Sequence, residues 1–336
     1  MRSTLTGILL CLACAAPAVA LAQAGTIETY AGGGQSLAEG TPLRELDLRG
    51  GTALAVDRKG RVHVAVPGRI LRLGGGIGQV VAGDGTPGFS GDGGPARQAR
   101  IGRVGAIAFD LENRLLFADQ DALRVRRIEH DGTITTVAGN GENVDETYTI
   151  PVPPHEAGMT RPMGLAVRHD GLVYVSTEGH YVRCFTPGVN IGNCHGVGFP
   201  ATAVGGSPNS PGLWSPGALA FSPTGSLYVA DNGNKRIRRF DPDGITVQTE
   251  VGTGAHLEGG NSFSTNAYDG LAFDGYGRLF FSVKLLNRIY ARSAATVPDA
   301  WVGTGVAGYS GDGGPGLYAQ LDAPGQIAIA ADRTMY

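Results

Sequence analysis

The sequence predicts an all-β fold, a six-bladed β-propeller, from three observations. A short apolar segment with a central alanine recurs six times, and a tight turn and a second apolar segment follow it. The turn positions lie 52 to 58 residues apart, a period suited to several short strands per unit. Glycine supplies 55 of 336 residues without a Gly-X-Y period, so tight turns explain it and a collagen helix does not.

The first 22 residues are read as a signal peptide that lies outside the fold. Arg2 gives a positive start, Leu5 to Ala20 is apolar, and Ala20-Leu21-Ala22 offers a small-residue cleavage site before Gln23. The mature chain, 23–336, is then expected in the periplasm or outside the cell, with no membrane span once the signal is removed. Cys11 and Cys14 fall in the signal. Cys184 and Cys194, the remaining pair, are expected to form one local disulfide in an oxidising compartment.

The first strand of each unit reads Leu54-Ala55-Val56, Ile107-Ala108-Phe109, Leu165-Ala166-Val167, Leu219-Ala220-Phe221, Leu271-Ala272-Phe273 and Ile327-Ala328-Ile329. Period-two alternation suggests that the alanine faces the crowded axis while its bulky neighbours point between blades. The turn after it carries Gly60, Gly171, Gly225 and Gly277, with Asn113 and Arg333 standing in the glycine place of the other two copies. Second strands follow, as in Leu227–Asp231 and Leu115–Asp119. Third strands rich in arginine come next, as in Arg236-Ile237-Arg238 and Arg124-Val125-Arg126. Gln79–Gly83, Gly132–Gly139 and Ala201–Gly205 are the fourth strands, and β-branched residues suit half-buried positions there.

Gly25–Gly32 matches a fourth strand although it precedes the first complete unit. It is therefore expected to close the last blade. The sixth copy reaches only Tyr336 and lacks its third strand, so the chain is read as the leading piece of a longer protein.

These segments resemble NHL repeats over nearly the whole mature chain. Pro216–Phe240 carries the pattern best, together with the insert Ala82–Ala96 and its second copy Val306–Pro315. The insert is similar to that of bacterial NHL proteins and of the NHL domain in teneurin-like and Rhs proteins. The resemblance implies the fold and says little about activity, because propellers host many functions.

The expected function is that of an exported scaffold binding a protein or glycan. No catalytic constellation is apparent: no Gly-x-Ser-x-Gly elbow and no zinc-type histidine spacing occur. A net charge of −3 and the lack of a basic run exclude a nucleic-acid footprint. No cofactor is expected. The candidate contact points are Asp92 and Asp312 in the two Gly-Asp-Gly-Gly loops, Asp84 earlier in the first insert, and Trp214. Oxygen ligands for Ca²⁺ at Asp84 and Asp92 are one alternative, while tight turns with glycine at positive φ are the plainer reading. Trp214 would be a contact point if exposed and core if buried. Asp119 and Asp231 are read as turn caps, and the repeated arginines Arg124, Arg126, Arg236, Arg238 and Arg239 as alternating between a solvated face and ion pairs with neighbouring blades. The competing function is a metal-dependent hydrolase or lyase of the gluconolactonase-like six-bladed class, which would need metal ligands around the central channel.

Overall fold

The computed structural model describes residues 25–144, 152–196, 212–242, 246–252, 256–257, 261–262, 268–293 and 297–336. The segment expected to be a signal peptide, the segment Ala201–Gly205 and residues 145–151 lie outside them, and the fourth strand of the third blade, expected at Ala201–Gly205, is instead Ile191–Gly196.

The chain forms β-sheets arranged as blades, with strands hydrogen-bonded in sequence order. The first blade holds β1 (Ala53–Val56), β2 (Val62–Val66), β3 (Arg69–Gly74) and β4 (Ile77–Ala82). The second holds β5 (Val104–Phe109), β6 (Leu115–Asp119), β7 (Arg124–Ile128) and β8 (Ile134–Ala138). The third comprises β9 (Pro162–Val167), β10 (Val173–Thr177), β11 (Tyr181–Phe185) and β12 (Ile191–Gly196). The fourth comprises β13 (Pro216–Phe221), β14 (Leu227–Asp231), β15 (Arg236–Phe240) and β16 (Val247–Val251). After a two-residue pair, β17 (His256–Leu257) and β18 (Asn261–Ser262), the fifth blade holds β19 (Leu271–Phe273), β20 (Leu279–Val283), β21 (Arg288–Arg292) and β22 (Asp299–Val302).

Among the described residues five four-stranded blades form, which corrects the sequence-based expectation of six. The sixth copy of the repeat builds no sheet. Ala328 and Tyr336 exchange both backbone hydrogen bonds, and Ile329 bridges Met335. This hairpin still packs: Ile327 is buried with Ala272 and Phe280, and Met335 lies against the same cluster. Gly25–Ile27 hydrogen-bonds to Gly313, Gly314 and Gly316 and takes no place in any of the five sheets.

The central alanine does not face the axis. Ala55 packs with Ile107 and Phe109 of the next blade, Ala108 with Leu165 and Val167, and Ala220 with Leu271 and Phe273. Both side-chain faces of an inner strand therefore lie between blades, and its backbone edge is what meets the channel. Blades converge there, so a small residue on one strand must oppose a large one on the next for the interior to fill.

The first turn of each unit also has a local cause. Asp57 Oδ1 accepts the N–H groups of Lys59 and Arg61, and its Oδ2 takes Arg61 Nε at 2.7 Å. Asp110 and Asp274 repeat this with Arg114 and Arg278. The last turn residue needs a left-handed backbone: Gly60 sits at φ 74°, and Asn113 and Arg333 adopt φ 61° and 74° in its place. Asparagine tolerates that region better than arginine.

Candidate binding site at the mouth of the central channel

The inner strands surround a narrow channel lined by Leu54, Ala106, Leu165, Leu219, Leu271 and Ile327 among others. At the end where these strands begin, the channel opens into a cavity of about 550 Å³. Its lining is mixed. Thr52, Gly105, Met163, Gly217, Asp269 and Gly325 come from the start of successive inner strands. Gln120, Asn232 and Lys284 come from the turns between second and third strands, and Arg103 and Gln326 complete the polar set.

Several of these groups are already engaged. Asn232 Oδ1 accepts the N–H of Tyr268 at 3.2 Å. Lys284 Nζ lies 3.1 Å from Asp269 Oδ2, and burial raises the Asp269 carboxyl above its ordinary range while that lysine opposes the shift. Gln120 Nε2 reaches Met163 Sδ at 3.3 Å, a weak acceptor. The side chains of Arg103 and Gln326 have no hydrogen-bond partner among the described residues. The mouth thus presents a guanidinium, amides and an ammonium with spare donors, around one carboxylate.

The residues singled out from sequence do not converge on this cavity. Asp92 is the acceptor of a buried clasp. Arg126, fully buried, gives Nη2 to Asp92 Oδ1 at 2.6 Å and Nε to the same oxygen at 3.1 Å, and Thr136 Oγ1 lies 2.5 Å from Oδ2. Asp84 accepts Thr86 N–H at 2.6 Å and has Arg100 Nε at 3.8 Å. Asp312 accepts Thr29 N–H at 3.0 Å. Trp214 is 38% exposed and hydrogen-bonds through its backbone to Asp231 and Gly233. It thus stands over the turn that carries Asn232, although it does not line the cavity.

Asp119 and Asp231 act as caps, as expected: the first accepts from Gly102 and Ala122, the second from Trp214 and Asn234. Burial pushes both up to about 6 despite nearby Arg126 and Arg238. The third-strand arginines alternate, as expected, between partly exposed positions and ion pairs, Arg126 with Asp92 and Asp119 and Arg238 with Asp231. Arg126, Arg183 and Arg238 are among the largest fully buried side chains, so the inward arginine of the third strand is an interior group and not a solvated face. His180 and His195 take separate partners: His180 Nδ1 accepts Ser215 N–H at 2.9 Å, and His195 stacks on Phe240 at 4.1 Å. Cys184 and Cys194 are disulfide-bonded across β11 and β12, with Cα atoms 5.8 Å apart.

Residues 213–240 match the family model described as NHL repeat. A stretch of 161 residues is 27% identical to Teneurin-m of Drosophila melanogaster, covering 44% of this chain and 6% of that protein. The chain therefore spans a small fraction of that relative's length. Among solved structures, the fold is similar to an auxiliary nutrient binding protein from Bacteroides thetaiotaomicron, with TM-score 0.57, 13% identity, and 88% and 71% of the two chains covered. It is also similar to a gluconolactonase from Xanthomonas campestris, with TM-score 0.52, 15% identity and coverage of 88% and 82%. At these identities the likeness is one of fold. The blades form a β-propeller, and residues 213–240 of its fourth blade carry an NHL repeat.

Proposed function

We propose that the chain is an exported propeller that binds a glycan or a polypeptide tip at the mouth of its central channel. One observation carries this reading: the cavity gathers hydrogen-bonding side chains, with Arg103 and Gln326 unengaged, on a rigid ring of inner strands. Such a constellation positions several polar contacts without requiring the scaffold to rearrange. The disulfide agrees with export to an oxidising compartment. Among the described residues no helix is long and apolar enough to cross a membrane.

The competing reading, a metal-dependent hydrolase or lyase, has the similarity in fold to a gluconolactonase in its favour. Among the described residues, however, no three His, Cys, Asp or Glu side chains gather in a metal-holding group. Asp269 is the single carboxylate of the mouth lining.

Glycan-array and peptide-display binding by the purified chain tests the proposal. Arg103→Ala and Gln326→Ala are expected to weaken a captured ligand about tenfold each, consistent with losing a charged or amide hydrogen bond. Lactone hydrolysis that tracks a stoichiometric divalent ion, and that Asp269→Asn abolishes, would overturn it.

A further inference from the structure

Trp214 is open to water, yet its backbone is held from three directions. Its N–H donates to Asp231 Oδ1 at 2.8 Å, and its carbonyl accepts Gly233 N–H at 2.8 Å. The next residue, Ser215, donates its N–H to His180 Nδ1 at 2.9 Å, which ties the segment to a turn of the third blade. The indole lies against Gly233, where a Cβ would come within 2.3 Å of Cγ, 2.6 Å of Cδ2 and 2.7 Å of Cδ1. Only glycine leaves room for the ring there. One face of the indole is thus covered by backbone, and 38% of the residue stays exposed. Among the described residues Trp214 Nε1 makes no hydrogen bond.

Gly233 follows Asn232, which lines the cavity at the mouth. Asn232 and Gln120 are almost fully buried, at 7% and 6% exposed. Each amide has one atom engaged and one open. Asn232 Oδ1 accepts Tyr268 N–H, and its Nδ2 has no acceptor among the described residues. Gln120 Nε2 reaches Met163 Sδ, and its Oε1 has no donor among them. Neither open atom is sealed off, so both face the cavity. A buried amide atom without a partner costs free energy that a ligand hydroxyl can restore.

The rim around these amides carries carboxylates beside its cations. Glu178 lies 3.8 Å from Arg161 and Asp269 lies 3.1 Å from Lys284, while Asp121 accepts the Arg103 backbone N–H at 2.8 Å. No strong field of one sign therefore selects a charged ligand. An open donor and an open acceptor at depth, with an aromatic face beside them, suit a particular chemistry. Its hydroxyls both donate and accept, and its ring has an apolar C–H face.

We propose that Trp214, Asn232 and Gln120 form a subsite for the uncharged pyranose units of a glycan. One unit stacks on the indole with a hydroxyl on Asn232 Nδ2, and a neighbouring unit gives a hydroxyl to Gln120 Oε1. The two amides lie on either side of the third blade, so the ligand is an oligosaccharide long enough to cross it. The proposal rests on the reading of the mouth as a binding site and deepens it, choosing sugar over polypeptide. The subsite draws on the second to fourth blades alone.

Isothermal titration calorimetry of the full chain with maltohexaose, cellohexaose, mannohexaose and chitohexaose is the test. At least one is expected to bind saturably and to change the tryptophan fluorescence. Trp214→Ala is expected to weaken that binding by about tenfold. It should also abolish the fluorescence change, because Trp301, the other tryptophan, packs on Phe280 in the fifth blade. Trp214→Phe keeps a ring and is expected to lose less. Asn232→Asp keeps the acceptor for Tyr268 N–H and removes the open donor, so it too is expected to weaken binding. Tyr276 is exposed at the opposite end of the propeller, and Tyr276→Ala is expected to change nothing. Thermal melts verify that each variant folds. Binding indifferent to Trp214→Ala, or tighter binding of hexagalacturonate than of every uncharged hexaose, would refute the subsite and leave the mouth reading intact. Capture of displayed peptides through Arg103, with no hexaose bound, would do the same. Binding of neither sugar nor peptide would refute both.

Discussion

The glycine-rich insert Gly88–Pro95 and its second copy Gly308–Pro315 form two hooks, a controlled comparison inside one molecule. They share sequence and backbone bonds to a neighbouring strand, and they differ in what holds the aspartate: Arg126 holds Asp92, whereas Thr29 N–H and the Tyr309 hydroxyl hold Asp312. Where Arg126 is present, it is fully buried, Asp92 keeps 33% of its side-chain surface, and Phe89 is partly covered. Where no arginine stands, Asp312 and Tyr309 remain open to water. The hook therefore forms without its arginine. Glycines at positive φ, Gly91 at 87° and Gly93 at 80° matched by Gly311 at 104° and Gly313 at 79°, shape it in both places. The arginine is what turns an edge cover into an interior clasp.

The comparison breaks most sharply if the seated arginine is removed. Arg126→Met removes the cation that pairs with Asp92 and the buried Asp119 and the donor to Ser90 O, so unfolding free energy is expected to fall by about 3–5 kcal/mol. Urea denaturation measures this, and a loss under about 1 kcal/mol would show that the clasp contributes little.

The next largest effect separates the buried interior from the open hook by pH. Burial pushes His63 and His195 down to about 4, from an ordinary value of 6.5. Their folded pKa values lie below the unfolded ones. The stability they contribute is thus complete above pH 6.5 and is lost as pH falls toward 4, by up to roughly 3 kcal/mol each. Asp119 and Asp231 work the other way. Raised to about 6, they bind protons earlier in the folded state, so their contribution grows as pH drops from 6 to 4. The double variant His63→Phe and His195→Phe is expected to lose less stability than the parent between pH 7 and pH 4.5. An unchanged pH slope would refute the assignment of neutral buried histidines.

Asp92→Asn should have an intermediate effect, about 1–3 kcal/mol, because it removes the nearer of the two carboxylates that face the buried Arg126, leaving Asp119 at 3.7 Å. Its counterpart Asp312→Asn should shift stability by less than about 0.5 kcal/mol, as exposed substitutions usually do. Parallel thermal melts of the two variants read the contrast directly. Equal losses would mean that the second hook is also part of the folded core.

The mouth residues were harder to read from sequence than the hooks, for a reason visible in the repeat register. In the position two before the central alanine, the six copies carry Ala53, Ala106, Gly164, Ala218, Gly270 and Gln326. Gln326 breaks a column of small residues, and it lines the mouth. The position after each second strand holds Pro67, Gln120, Glu178, Asn232 and Lys284, three of which line the cavity. Both signals are columns of variation, whereas motif reading rewards what recurs. The recurrent residues turned out to be structural: Asp57, Asp110 and Asp274 hold turns, and Asp119 and Asp231 cap them.

By itself the sequence determined the strand order, the hairpin turns, the cysteine pair and the equivalence of the repeats, because each rests on local period and turn chemistry. Tertiary structure decided the rest. It set five sheets and not six, because a blade needs paired strands and not merely a recurring motif. It turned the central alanine toward the next blade and buried the third-strand arginines, because the space beside a strand is set by its neighbours. It also gathered Arg103, Gln120, Asn232, Asp269, Lys284 and Gln326 at one mouth, because ring closure brings together residues more than two hundred positions apart.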